Sequence, residues 1–151
     1  MKKRGSIFCA WIAAVMLCTG CAGASPLPLE QIHWEMSYIQ SGEDGKILAT
    51  SPEGKENYGP QEVEMINMTC QFSGLDFVIT NEDSGQSWKG TFQEIEKGLQ
   101  HDTIYEATYE DGSTALASSG ITSYADGSQE GTLIFTGEKY TIGFRGDLPE
   151  G

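Results

Sequence analysis

The chain predicts an all-β fold: a single antiparallel up-and-down β-barrel of about eight to nine short strands. Three observations carry it. From Ile32 onward, apolar residues alternate at period two in run after run. Clusters of Gly, Asp, Asn and Ser separate the runs at intervals of about 8–12 residues. The one helical spacing, Phe92, Ile95 and Leu99, is short and interrupted by Gly98, so a short turn or long loop is expected over Gln93 to Gln100. About 130 residues follow the leader, enough for one domain around one core.

The leader occupies residues 1–20. Lys2, Lys3 and Arg4 are followed by an uncharged apolar run from Ile7 to Leu17, and then by small residues and Cys21. This is a secretory signal, too short for a comfortable membrane span. Leu17-Cys18-Thr19-Gly20-Cys21 resembles the lipobox of bacterial lipoproteins, with Cys18 where that family usually has Leu. The resemblance implies that Cys21 becomes a lipidated N-terminus anchored to the cell membrane on its outer side. Ala22-Gly23-Ala24 offers the alternative of ordinary cleavage and a soluble secreted protein. Residues 21–30 are expected to form a tether, 31–146 the barrel and 147–151 a tail.

The strands follow in order. Ile32, Trp34, Met36 and Tyr38 alternate with His33, Glu35 and Ser37; a turn at Ser41–Gly45 leads to a strand over Lys46–Thr50. Ser51 to Pro60, with two prolines and two glycines, reads as a long loop and a candidate lid. Glu62 to Phe72 alternates with a phase slip between Met65 and Ile66, which a β-bulge would absorb. Cys70 falls among its apolar positions and reads as a small core residue. Leu75, Phe77 and Ile79 share a face ahead of the turn Asn81–Gly85. Trp88 and Phe92 flank Gly90; then come Tyr105, Ala107 and Tyr109, Ala115 and Ala117, Ile121 to Tyr124, Leu133 and Phe135, and Tyr140, Ile142 and Phe144. Asp111-Gly112 and Asp126-Gly127 sit between such runs and suggest type I′ hairpin turns. They belong to two matching stretches, Tyr109–Ser113 and Tyr124–Ser128, of the form Tyr-x-Asp-Gly-Ser, read as two similar hairpin corners.

Charge and composition exclude several functions. The formal net charge is −13, and removing Lys2, Lys3 and Arg4 with the leader leaves 6 Lys and Arg against 22 Asp and Glu, a net of −16. Nucleic acid needs a basic footprint and is excluded as a partner, as is broad contact with an anionic bilayer. One cysteine past the lipobox permits no internal disulfide. Two distant histidines, His33 and His101, and that cysteine supply neither a zinc site nor a catalytic triad, and no Gly-x-Ser-x-Gly elbow is present. Asn81–Gly85 imitates the start of an EF-hand loop without its closing acid, and no phosphate-binding loop exists. No metal, cofactor or catalytic residue is therefore expected.

A tryptophan on the first strand in Ile32-His33-Trp34, the polar turn with Asp44-Gly45-Lys46, and meandering hairpins resemble the lipocalin-like domains of bacterial exported proteins. The resemblance implies a barrel with an interior pocket. Trp34, Tyr38, Phe77, Trp88, Tyr105, Tyr109 and Tyr140 are the candidate ligand-binding residues, since aromatic rings suit an apolar or amphipathic guest and tyrosine hydroxyls can orient it. Gly90, Ala107, Ala115 and Ala117 would leave room beside the large rings. The expected function is non-catalytic binding of a small apolar or amphipathic ligand. The alternative is a filled barrel that contacts other envelope proteins or polymers through its outer surface.

Overall fold

Alternation at period two becomes ten strands in the computed structural model, which describes residues 27–53, 63–98 and 102–150. The strands are β1 (Trp34–Ser41), β2 (Ile47–Thr50), β3 (Glu64–Met65), β4 (Met68–Ser73), β5 (Asp76–Asn81), β6 (Ser87–Lys97), β7 (Thr103–Tyr109), β8 (Thr114–Ser123), β9 (Gln129–Thr136) and β10 (Tyr140–Gly146). β1, β4 and β5 through β10 form a closed antiparallel eight-stranded barrel, sealed where β10 pairs with β1; β2 and β3 are extra. Apart from those two the connections are up-and-down.

The extra strands change the barrel's width along its axis. Near its start β1 pairs with β4, at Trp34↔Cys70 and Glu35↔Thr69. Further along, at Tyr38, Ile39 and Gln40, β1 pairs with β2 instead. β2 in turn pairs in parallel with β3, at Ala49↔Glu64 and Thr50↔Met65. β3 lies just upstream of β4, so one end of the barrel has β2 wedged between β1 and the β3–β4 line. The seam is tied off beyond it: the Ile66 amide donates to Thr50 O (2.9 Å) and the Glu82 amide to Asn67 O (2.8 Å). Barrel diameter grows with strand number, so the wedged end is the wider one.

The phase slip between Met65 and Ile66 is therefore a break between two strands with different partners, not a bulge within one. Bulges occur elsewhere. β1 shifts register between Met36 and Tyr38, and β6 between Glu94 and Glu96. The β6 bulge explains the helical spacing of Phe92 and Ile95: β6 stays extended through Lys97, with Phe92 buried and Ile95 exposed. Leu99, Gln100 and His101 lie outside the described residues, as do residues 54–60 of the expected lid.

The narrow end is filled. Phe77, Phe92 and Phe135 stand within 5.1–5.4 Å of one another, centroid to centroid. Tyr105 stacks on Phe92 at 4.7 Å and Phe144 meets Phe135 at 5.7 Å. Small residues make space for these rings: a Cβ on Gly90 would fall 2.5 Å from Phe77 Cζ, and Ala107 and Ala117 pair across the strands with Phe92 and Phe135. Cys70 is buried in this core, which pushes its thiol pKa up. Packing begins ahead of residue 31. Leu27, Leu29 and Ile32 belong to the core, and one 3-10 turn, Leu29–Gln31, stops the narrow end. The Trp34 indole donates to Leu29 O (3.0 Å), and Glu30 Oε2 accepts the Gly74 amide (2.7 Å) from the β4–β5 turn. Leu148, in the expected tail, packs against the same core.

Candidate functional site: a cavity in the wide end

At the wide end the interior is hollow. A cavity of about 620 Å³ opens among β1–β6, β7 and β10, within the range of small-molecule sites. Its floor is the top of the aromatic core: Tyr109 meets Phe77 edge-to-face at 5.5 Å, beside Ile79 and Met68. Ile39, Ile142 and Trp88 form the walls, and Leu48, Ala49 and Ile66 line the side that β2 and β3 add. Tyr140 stands at the lip, half exposed. The polar residues around the mouth are Glu64, Ser87, Lys89, Glu110, Asp111 and Ser113.

The seven aromatic candidates divide into three groups. Trp88, Tyr109 and Tyr140 come together on the cavity. Trp34, Phe77 and Tyr105 are 0–2% exposed and belong to the filled core. Tyr38 does neither. The bulge after Met36 turns the strand by one residue, so Ile39 faces inward opposite Ile142 while Tyr38 pairs with Gly143. There its ring occupies the place a Gly143 Cβ would take, in a second, smaller hollow of about 250 Å³ shared with Glu130 and Arg145. The expectation that Trp34, Met36 and Tyr38 share one face fails at that bulge. Sequence reasoning also passed over Ile39, Leu48, Ile66 and Lys89. Leu48 and Ile66 reach the cavity because β2 enters beside β1, and Ile39 because of the bulge, neither of which a local pattern announces.

Local chemistry fixes the mouth. The corner Tyr109–Ser113 is held by the Tyr109 amide to Ser113 O (2.8 Å) and the Gly112 amide to Tyr109 O (2.9 Å), with Gly112 at φ 88°. This is a three-residue loop with a left-handed glycine, not the two-residue type I′ turn expected from Asp-Gly. Asp111 Oδ1 accepts from the Ser113 hydroxyl (2.6 Å) and amide (2.9 Å), which hold its carboxyl below the usual range. Across the mouth, the Asn81–Gly85 stretch is a hairpin turn whose Asn81 Oδ1 accepts the Asp83 and Ser84 amides. Asp83 reaches over to the Asn67 amide (3.0 Å) and braces the β3–β4 line. Burial pushes the Tyr109 hydroxyl up to about 12, so it stays a neutral donor and acceptor beside the cavity at any physiological pH. Burial also raises Tyr105, despite the Ser119 and Thr103 hydroxyls beside it.

Among the described residues no three His, Cys, Asp or Glu side chains converge as a metal site. His33 lies outside the barrel, 3.3 Å from Glu35. The arrangement is one of shape and polarity, an apolar chamber with a polar rim. Compared with protein-family models, with curated proteins and with solved structures, the chain has no significant match in any of the three.

Proposed function

We propose that this protein is an exported, lipid-anchored binding protein that holds a small apolar or amphipathic ligand in the wide end of its barrel. One observation carries the reading. The interior changes from a close-packed aromatic core to a cavity of about 620 Å³ within a single barrel. Close packing is the ordinary state of a protein interior, and an open chamber of this size lined mainly by apolar side chains has the form of a small-molecule site. The same observation weighs against the alternative of a wholly filled barrel acting through its outer surface.

The position of the N-terminal segment supports the anchored reading. Leu27 and Leu29 pack at the narrow end, opposite the mouth. Five residues separate Cys21 from Leu27, a reach of at most about 22 Å. A lipid on Cys21 would hold the narrow end near the bilayer and turn the mouth outward, toward a ligand arriving from outside. Two acyl chains suffice for stable attachment.

Residues 25–151 contain every described strand and the segment that stops the narrow end. Native mass spectrometry of that chain, purified without detergent and then exposed to an envelope lipid extract, tests the binding reading. A retained mass that leaves on denaturation is expected. A bare polypeptide under both conditions would sink it. Anchoring is tested separately by replacing Cys21→Ser in the full chain, which should move the protein from the membrane fraction to the soluble one.

A further inference from the structure

The cavity's rim is one-sided in charge. Glu64, Glu110 and Asp111 line it against the single cation Lys89. None of the three acids is in ion-pair contact with a described Lys, Arg or His; the ion pairs among the described residues join His33 to Glu35 and Lys46 to Asp44. The turns that frame the mouth add Glu43, Asp44, Glu82, Asp83 and Glu138 against Lys46 and Lys139. Beneath the rim, Trp88 and Tyr109 present aromatic surface, and Ile39, Ile66 and Ile142 present aliphatic surface; Tyr140 adds a ring at the lip.

We propose that the cavity selects ligands joining an apolar chain or ring to a cationic head, an organic amine or quaternary ammonium. The apolar part fills the chamber above Tyr109 and the head rests at Glu110, Asp111 and Glu64. This deepens the binding reading and rests on it. Exposed carboxylates without an ion-pair partner at the mouth favour a cation and repel a carboxylate, sulfate or phosphate head. The Tyr140 ring at the lip adds cation–π attraction. An organic cation suits this rim better than a metal ion, because the acids line an opening and do not converge on one point.

The test uses three ten-carbon probes, decyltrimethylammonium, decanol and decyl sulfate, each below micelle formation, titrated calorimetrically into residues 25–151. The cationic probe should bind about tenfold or more tighter than the anionic one. Glu110→Gln with Asp111→Asn should erase most of that preference. Glu94→Gln with Glu96→Gln, the same charge change on the exposed far end of β6, should leave it intact and so separates the rim from the protein's overall negative charge. Equal binding of all three probes, or a preference unaffected by the rim pair, would overturn the charge selection and leave the binding reading standing. Failure of every probe, with a bare mass after lipid exposure, would overturn both.

Discussion

Tyr109–Ser113 and Tyr124–Ser128 have the same sequence pattern and the same backbone. In each, the tyrosine amide donates to the serine carbonyl, the glycine amide donates back to the tyrosine carbonyl, and the glycine is left-handed, at φ 88° and 90°. In each, the aspartate accepts from the serine hydroxyl at 2.6 Å and its amide at 2.9 Å. Their surroundings differ completely. The first corner joins β7 to β8 at the wide end, and its tyrosine is half-buried on Phe77 beneath the cavity. The second joins β8 to β9 at the narrow end, and its tyrosine lies outside, donating to Glu130. Burial raises the Tyr109 pKa, whereas the bond to Glu130 is the larger cause for Tyr124. Local sequence decides the corner. The strand count at each end decides what the corner does.

The comparison of ends can be broken most forcefully in the core. Phe77→Ala at the packed end should cost about 3–5 kcal/mol in urea unfolding, since Phe77 touches Phe72, Phe92, Phe135 and Tyr109. A loss below 1 kcal/mol would mean that the narrow end is not close-packed. Gly90→Ala should cost about 1–3 kcal/mol, because the new methyl meets both Phe77 and the Thr108 carbonyl at 2.5 Å.

At the hollow end the order of effects reverses. Trp88→Ala should lower stability by at most about 2 kcal/mol, yet weaken ligand retention in native mass spectra about tenfold. Equal damage from Phe77→Ala and Trp88→Ala in both assays would erase the distinction between the two ends.

The tyrosines sharpen the comparison through pH. Tyr109 holds its proton to about 12 in the folded state against an ordinary 10. Its contribution to stability is thus whole below about pH 10 and is lost as pH rises through about 12. Tyr109→Phe should remove one late phenolate step from the alkaline absorbance titration and flatten the alkaline fall in stability; loss of a step near the ordinary pKa of about 10 instead would place Tyr109 in solvent. The corners themselves should give the smallest effect. Asp111 and Asp126 are exposed and lowered by the same serine bonds, so each contributes stability above its ordinary pKa that is lost as pH falls through the folded value. Ser113→Ala and Ser128→Ala should cause small, equal losses of acid stability, and a clear inequality would show that the corners are not independent of their surroundings.

Much of this protein was legible in order along the chain. Alternation located nearly every strand, and Gly, Asp and Asn located the turns, because strand faces and corners are set by neighbours two to four residues apart. The paired corners could be read for the same reason, though Asp-Gly suggested the wrong loop length. Trp88, Tyr109 and Tyr140 were within reach as an aromatic set but not separable from Trp34, Phe77 and Tyr105, since all six alternate alike.

The sequence by itself determined an all-β chain of hairpins with an inward aromatic face. Only the tertiary structure decided that β2 enters between β1 and the β3–β4 line, that the bulge after Met36 turns Tyr38 outward onto Gly143, and that one end is packed while the other is hollow. Those outcomes depend on pairings between residues far apart in the chain. Interior width follows from how many strands close the ring at each level, and that number is written in no single segment.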